Sequence, residues 1–476
     1  MRYAHNLARG FGLIWNPAGE RVEGYTNPLW TIYMAFWHLF PIASAKISLL
    51  IQLTGSAFLI SSLFLVRKIA NYISGGNALV IIGSVLLTAT YLPINFWALK
   101  GMETSALGFI VLLAIWRLLM CLESDRFDPY LAGILGLGML LRVDFVFLFI
   151  VFLVFMITAL RVNRIKNGIF FLGIFIVIFG GQTLLRWLYY GDLLPNTYYL
   201  KMTGLPLALR VQRGFFAAID FIAAMSGILF VLPFLCLIFH RKNKAVIFLA
   251  CIFSFQLLYS IYVGADAWEW WGNLANRYLC IVMPVFFILI SLAVGWLMEK
   301  MRQGRLKNTF FAVIMLFLIF QLHGGSRNLD LIREQLLGAS GIFIDIDKKM
   351  AATGLQFKEF TTPQVKIAVT WAGIIPYFSD RYSIDLLGKN DKVIAREAVK
   401  AKTYRDFRPG HNKYDYEYSI GKLRPDVIAQ YWGAYEEFAP YLKDYEAVEM
   451  KNGCTIYLLK GSVNILRERL KDFSRS

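Results

Sequence analysis

Long apolar runs, each bounded by short polar loops, fill the first two thirds of the chain, and shorter alternating stretches fill the rest. A membrane-spanning helix needs about 20 apolar residues. Runs near that length occupy 42–66, 78–98, 104–121, 168–188, 214–239, 245–263, 278–298 and 308–323, which predicts eight spans. Residues 129–160 are apolar apart from Arg142 and Asp144. That stretch is too long for one helix and short for two full spans, so it predicts a hairpin of two short helices with Arg142-Val143-Asp144 at its tip. Residues 29–40 are apolar but short and rich in Trp and Tyr, which predicts an interfacial helix. Beyond the last run, β-like stretches at Lys366–Thr370, Asp426–Ala429 and Cys454–Leu459 alternate with amphipathic ones, and Asn452-Gly453 is a hairpin-turn signal. The expected fold is an α-helical polytopic membrane protein of about ten membrane helices with a C-terminal soluble α/β or α+β domain. The expected domains are 1–324, of which 1–41 form an extracytoplasmic loop and the interfacial helix, and 325–476.

Composition agrees with lipid as the solvent: 57% of the 476 residues are hydrophobic, 16% are aromatic and the mean hydropathy is +0.53. The net charge of +17 sits mostly in the apolar half, where 25 Lys/Arg face 12 Asp/Glu, against 24 and 20 in residues 325–476. Those basic residues form small clusters at helix ends and not one face, which argues against a nucleic-acid partner. With 129–160 counted as two helices, the clusters at 67–68, 117–126, 161–166, 241–244 and 300–307 all fall on one side, which makes that side cytoplasmic. The other side then receives 1–41, 101–104, the Arg142 tip, 190–213, 264–277 and the C-terminal domain. Four of the five cysteines lie in or beside apolar runs, so an internal disulfide in the C-terminal domain is ruled out.

Ionisable groups are costly at membrane depth, so candidate chemistry lies first in the polar loops of the outer side. The loop entering the interfacial helix offers Glu20, Arg21, Glu23, Tyr25 and Asn27. Glu103, in Gly101-Met102-Glu103-Thr104, equally suits a negative charge stabilising a helix N-terminus. Arg142 and Asp144 read most simply as an ion pair. Asp192, Asn196, Tyr198 and Lys201 share a loop of turn formers and aromatics able to hold a sugar or a phosphate, although ordinary loop packing would also use them. Asp266 and Trp268 with Arg277 combine charge with an indole face that suits sugar rings and lipid headgroups alike. Five scattered histidines give no metal-binding spacing, and there is no Walker loop, dinucleotide fingerprint or Ser/His/Asp arrangement.

Taken in order, these segments resemble the GT-C class of polytopic membrane glycosyltransferases, in particular the bacterial branch that includes mycobacterial arabinofuranosyltransferases. The resemblance rests on Arg2 to Ala8, Gly19 to Trp30, Gly101 to Thr104, Tyr190 to Lys201 and Asp380 to Asp391, and covers nearly the whole chain. It implies a sugar transferred from a polyprenyl-phosphate donor, with inversion, to a cell-envelope glycan, lipid or protein acceptor. The setting implied is the outer face of a bacterial plasma membrane, with the soluble domain helping to bind the acceptor. It leaves room for a divalent metal and names no other cofactor.

A carboxylate acting as general base on the acceptor hydroxyl contributes roughly 10²- to 10⁴-fold, and cations offset charge on the departing phosphate. The resemblance places that carboxylate in an acidic pair, Asp-Asp-Ala-Phe/Tyr-Ile, behind a further helix just before the stretch matched by Arg2-Tyr3-Ala4. The pair is therefore expected upstream of Met1, and the chain as written would be inactive without it. Lys201 and Arg277 are the candidates for the phosphate. Two other readings fit a polytopic chain: a lipid-linked sugar transporter or flippase, disfavoured by polar motifs on one side only, and a non-catalytic carbohydrate-binding membrane subunit.

Overall fold

The computed structural model describes residues 1–126, 128–159, 164–224, 227–239, 243–267, 276–299, 301, 304–322 and 342–475. After two short helices, α1 (Arg2–Ala8) and α2 (Pro28–His38), the first apolar run forms α3 (Ser44–Ser74). Its 31 residues extend about 46 Å, longer than a hydrocarbon core of roughly 30 Å. The second run is broken into α4 (Ala78–Ala89) and α5 (Leu92–Leu99), which meet at 45°. Pro93 lacks an N–H and disfavours helix at the residue before it. The Asn95 side-chain amide donates to the Ala89 carbonyl at the break, at 3.1 Å.

After α6 (Thr104–Ser124), the stretch at 129–160 is two helices, α7 (Pro129–Leu141) and α8 (Val146–Ala159), parted at Arg142 by one turn of 3₁₀ helix. Next come α9 (Arg164–Phe175) and α10 (Gly181–Tyr190), joined by a π-helical segment into one helix of 27 residues. Then follow α11 (Asn196–Met202), α12 (Leu207–Ala224) and α13 (Ile228–Phe239). The run expected as one span at 214–239 thus falls into two helices. Gly227 adopts φ +46° and its amide donates to the Ile222 carbonyl at 3.0 Å, a left-handed turn that closes off α12. The last helices of this part are α14 (Lys244–Tyr262), α15 (Arg277–Cys280), α16 (Met283–Glu299) and α17 (Arg305–Leu322).

The protein is an integral membrane protein. Among the described residues, Ser44–Ser74, Thr104–Ser124, Arg164–Tyr190 and Lys244–Tyr262 are each long and apolar enough to cross a bilayer, and the bent α4–α5 pair reaches that length and apolarity when its two helices are taken together. Of the other predicted runs, 214–239 is divided at Gly227, which hydropathy does not register, and Met283–Glu299 is described over 17 residues. Helix α16 forms the centre, with every residue from Met283 to Gly295 buried. Small residues set its approach to α4: a Cβ added at Gly83 would lie 2.9 Å from the Ser291 hydroxyl. At the periphery Ile169, Phe170, Ile176, Val177 and Leu184 stand exposed, as a lipid-facing helix requires.

The C-terminal part opens with α18 (Ile342–Phe360) and builds a five-stranded sheet from β1 (Lys366–Val369), β2 (Tyr382–Asp385), β3 (Val427–Ile428), β4 (Tyr445–Glu449) and β5 (Thr455–Leu459). The order is β2-β1-β3-β5-β4, with β1 parallel to both neighbours and β5 antiparallel to β3 and β4. The sequence pattern marks β1, β3 and β5; β2 and β4 pair beside them. Gly453, at φ +80°, turns the β4–β5 hairpin.

The N-terminal segment is sewn onto this sheet. Tyr3 and Trp15 join its core beside Phe357, Phe360 and Ile367. The Asn16 side chain accepts from the Ser383 amide at 3.0 Å and donates to its carbonyl at 2.8 Å, as a strand neighbour would. Arg2 donates to the carbonyls of Trp15, Pro376 and Arg381. The loop after β2 reaches down to the membrane helices, which fixes where the site lies.

Candidate functional site

Three chain reversals on one side of the helices meet beneath the loop that follows β2. In the first, Glu103 precedes α6 without capping it, and its carboxylate instead accepts from the Asn27 amide at 2.8 Å and lies 3.6 Å from Arg142. In the second, at the α7–α8 break, Arg142 grips Asp144 through two N–H groups at 2.8 and 2.5 Å. Tyr259 from α14 donates to the same carboxylate at 3.1 Å, and the Tyr278 ring lies 5.2 Å from the Arg142 guanidinium. In the third, after α14, Asp266 is almost fully buried and binds Arg277 through Nε at 2.6 Å, Nη2 at 2.7 Å and the backbone amide at 3.1 Å. Burial pushes the Asp266 carboxyl up, but Arg277 more than reverses this and holds it at about 2. Arg277 also stacks over Trp97 of α5, at 5.0 Å, a contact that the bend before α5 makes available. Arg142, Asp144, Gln256, Arg277 and Tyr278 line one small cavity.

Two lysines complete the cluster. Lys201 comes from α11, and Lys389 from the loop after β2. Among the described residues neither ammonium has an ion-pair partner. Burial, then repulsion from Arg277, lowers Lys201 to about 8. Lys389 is accessible, yet the protein around it strips water away, and this together with Lys201 lowers its pKa as well. Two crowded cations beside Arg277, neither of them in an ion pair among the described residues, give this cluster an arrangement suited to an anion. The carboxylates Glu103, Asp144 and Asp266 are all engaged by arginine or amide donors, so they orient cations here.

The other residues singled out from the sequence lie to one side of this cluster and hold segments together. Glu23 pairs with Arg186 of α10, both nearly fully buried. Glu20 lies 3.4 Å from Lys392, and Arg21 stacks on Tyr189 at 4.6 Å. The hydroxyls of Tyr25 and Tyr190 are 3.0 Å apart, and Asp192 accepts from Arg396 at 2.7 Å. The Asn196 amide donates to the carbonyls of Gly388, Lys389 and Asp391 at 2.9, 3.1 and 3.2 Å. Tyr198 is exposed. Trp268 lies outside the described residues.

Sequence reasoning missed Lys389, although the Asp380 to Asp391 segment had carried part of the resemblance. The buried Asp385 builds its loop, accepting from the Leu387 amide at 3.1 Å and from the Asn390 amide and side chain at 2.8 Å each.

A polytopic helical bundle of this shape, with a small sheet domain over its polar loops, is the GT-C fold of membrane glycosyltransferases. ArnT from Cupriavidus metallidurans, solved in the apo state, superposes with a TM-score of 0.58 at 12% identity, over 98% of this chain and 93% of that one. The same protein bound to undecaprenyl phosphate gives 0.58 at 11% identity, over 98% and 94%. The archaeal oligosaccharyltransferase AglB from Archaeoglobus fulgidus, in complex with an inhibitory peptide and a dolichol-phosphate, gives 0.53 at 11% identity, over 97% and 69%. In sequence, a terminal beta-(1->2)-arabinofuranosyltransferase of Mycobacterium tuberculosis is 27% identical over 215 residues, 42% of this chain. The match spans 33% of that relative's length. Residues 343–464 match the profile of a domain of unknown function, DUF8728.

Proposed function

We propose that this chain transfers a sugar from a polyprenyl-phosphate donor to a cell-envelope glycan, lipid or protein acceptor on the outer face of a bacterial plasma membrane. The observation that carries this reading is the pair of ammonium groups, Lys201 and Lys389, without an ion-pair partner among the described residues, beside Arg277 at the end of an apolar helix bundle. A lipid phosphate fits there, its chain along the apolar helices and its charge among the three cations. ArnT and AglB, which share the fold, are seen with undecaprenyl phosphate and dolichol-phosphate respectively.

In the reaction an acceptor hydroxyl attacks the anomeric carbon from the face opposite the phosphate. The bond from that carbon to the phosphate oxygen breaks, and polyprenyl phosphate leaves with one more negative charge than it had as a diester. Lys201, Lys389 and Arg277 stabilise this growing charge. The hydroxyl proton goes to a general base, the carboxylate that the family resemblance implies. The polar reversals and residues 325–476 lie outside the membrane in this reading, and the basic clusters lie inside.

The test is undecaprenyl phosphate affinity of the protein in phosphatidylcholine nanodiscs. The double variant Lys201→Ala/Lys389→Ala should bind at least about tenfold more weakly, the loss of roughly one charge-assisted hydrogen bond. Equal affinity in the two proteins would remove the lysines from the phosphate site and with them the support for a lipid-phosphate donor.

A further inference from the structure

The C-terminal part carries an open cleft of about 550 Å³ with Lys400, Lys402, Asp406, His411, Trp432 and Glu437 in its lining. It lies at the carboxyl ends of parallel strands. Trp371 follows β1 and Trp432 follows β3, and the Gln430 side chain accepts from the Trp371 amide at 3.1 Å, tying the two ends together. From β1 the chain passes to β2 on one side, then crosses to β3 on the other. In open α/β sheets such a reversal leaves a crevice in which ligands sit.

One wall is aromatic. In the lining the rings of His411 and Trp432 stand 5.5 Å apart and tilted, and Trp371, next to the lining, has its ring 5.7 Å from each of them, edge to face. All three are only half-buried, and Trp432 is anchored by its indole N–H on the His411 carbonyl at 2.9 Å. The facing rim is polar: Lys400 pairs with Glu437 at 2.7 Å, and Tyr414 donates to the same carboxylate at 3.1 Å. Two lysines and two carboxylates balance, so the cleft selects neither anion nor cation, unlike the cluster with its two unpaired ammonium groups among the described residues. Ring faces that receive C–H groups, opposite a rim of mixed donors and acceptors, match an uncharged carbohydrate.

The two sites adjoin. Gly410, at φ +83°, passes so close to Lys201 that a Cβ added there would lie 3.4 Å from the lysine Cε. His411 is therefore both a wall of the cleft and a neighbour of the cation cluster. We propose that this cleft binds the neutral oligosaccharide that serves as acceptor, with its end directed past His411 toward the lipid phosphate. The role as acceptor site rests on the transferase reading above; the binding of glycan does not.

The experiment uses the full chain in phosphatidylcholine nanodiscs, which avoids sugar-headed detergents, with no donor lipid. Linear arabino-, galacto- and manno-oligosaccharides are titrated separately by calorimetry. At least one should bind, and Trp432→Ala should weaken it by about tenfold or more, while Trp432→Phe, which keeps a ring, should lose less. Asp406→Ala, at an exposed rim position where unfolding is not at issue, should weaken the same glycan several-fold. No binding of any of the three, or binding indifferent to both Trp432→Ala and Asp406→Ala, overturns the assignment. Undecaprenyl phosphate binding by the same preparation reports separately on the transferase reading, so glycan binding without lipid binding would sink that reading and keep the cleft.

Discussion

The guanidinium of Arg277 is clamped by Asp266 through two side-chain N–H groups at 2.6 and 2.7 Å, while the arginine's own amide closes a third bond at 3.1 Å. With Asp266 buried and the guanidinium lying over Trp97, the arginine has one orientation available to it.

Asp266→Asn should therefore leave a buried cation with half its support. Breaking such a pair costs about 3 to 5 kcal/mol, read as a lower melting temperature in nanodiscs. The folded-state pKa of about 2 lies below the ordinary 3.8. The stability that Asp266 contributes is thus present above about pH 4 and lost as pH falls through 2, and the variant should lack this acid limb. A variant as stable as the parent at pH 7 would show the pair to be dispensable.

Lys201 should make phosphate binding pH-dependent. With a pKa lowered to about 8, it is protonated at neutral pH and discharges just above it. Undecaprenyl phosphate affinity should fall as pH rises from 7 to 9, and Lys201→Arg, which stays charged throughout, should flatten the profile. A profile that is flat in the parent protein would contradict the placement of this ammonium at the phosphate.

Asp385 should give the opposite kind of signal from Asp266. Burial raises its carboxyl from 3.8 to about 6, despite the donors of Leu387 and Asn390. Its contribution to stability is therefore full below about pH 4 and lost as pH rises through 6, roughly 2 to 3 kcal/mol over the interval. Chemical unfolding of Asp385→Asn across pH 4 to 7 should lack this slope, and an unaltered slope would assign it to another group.

Glu23→Gln separates holding from binding. The carboxylate is buried against Arg186, so the substitution should lower stability by about 3 kcal/mol and leave the affinity of folded protein for undecaprenyl phosphate within about twofold. A selective loss of lipid affinity with no change in melting temperature would return Glu23 to the binding site.

What the sequence made visible follows from the medium. Between apolar runs a charged loop stands out, so Glu103, Lys201, Asp266 and Arg277 could be found from their surroundings alone, and the tip at Arg142 and Asp144 marked where 129–160 divides. In the soluble part charge is ordinary, and nothing distinguishes Lys389 from its neighbours until the loop after β2 is seen to descend. Glu23 illustrates the converse difficulty: a carboxylate that binds a ligand and one that neutralises Arg186, 163 positions away, have the same local pattern. Strand β2 has only four residues, Tyr382 to Asp385, too few for alternation to declare itself.

The Asn196 amide, shared among the carbonyls of Gly388, Lys389 and Asp391, sits on the same two-turn helix as Lys201. The backbone at Lys389 and the helix that carries Lys201 thereby share one anchor. If the upper part rocks against the helices, the segments that carry the two lysines swing as one piece, so the pair of cations keeps company through the motion.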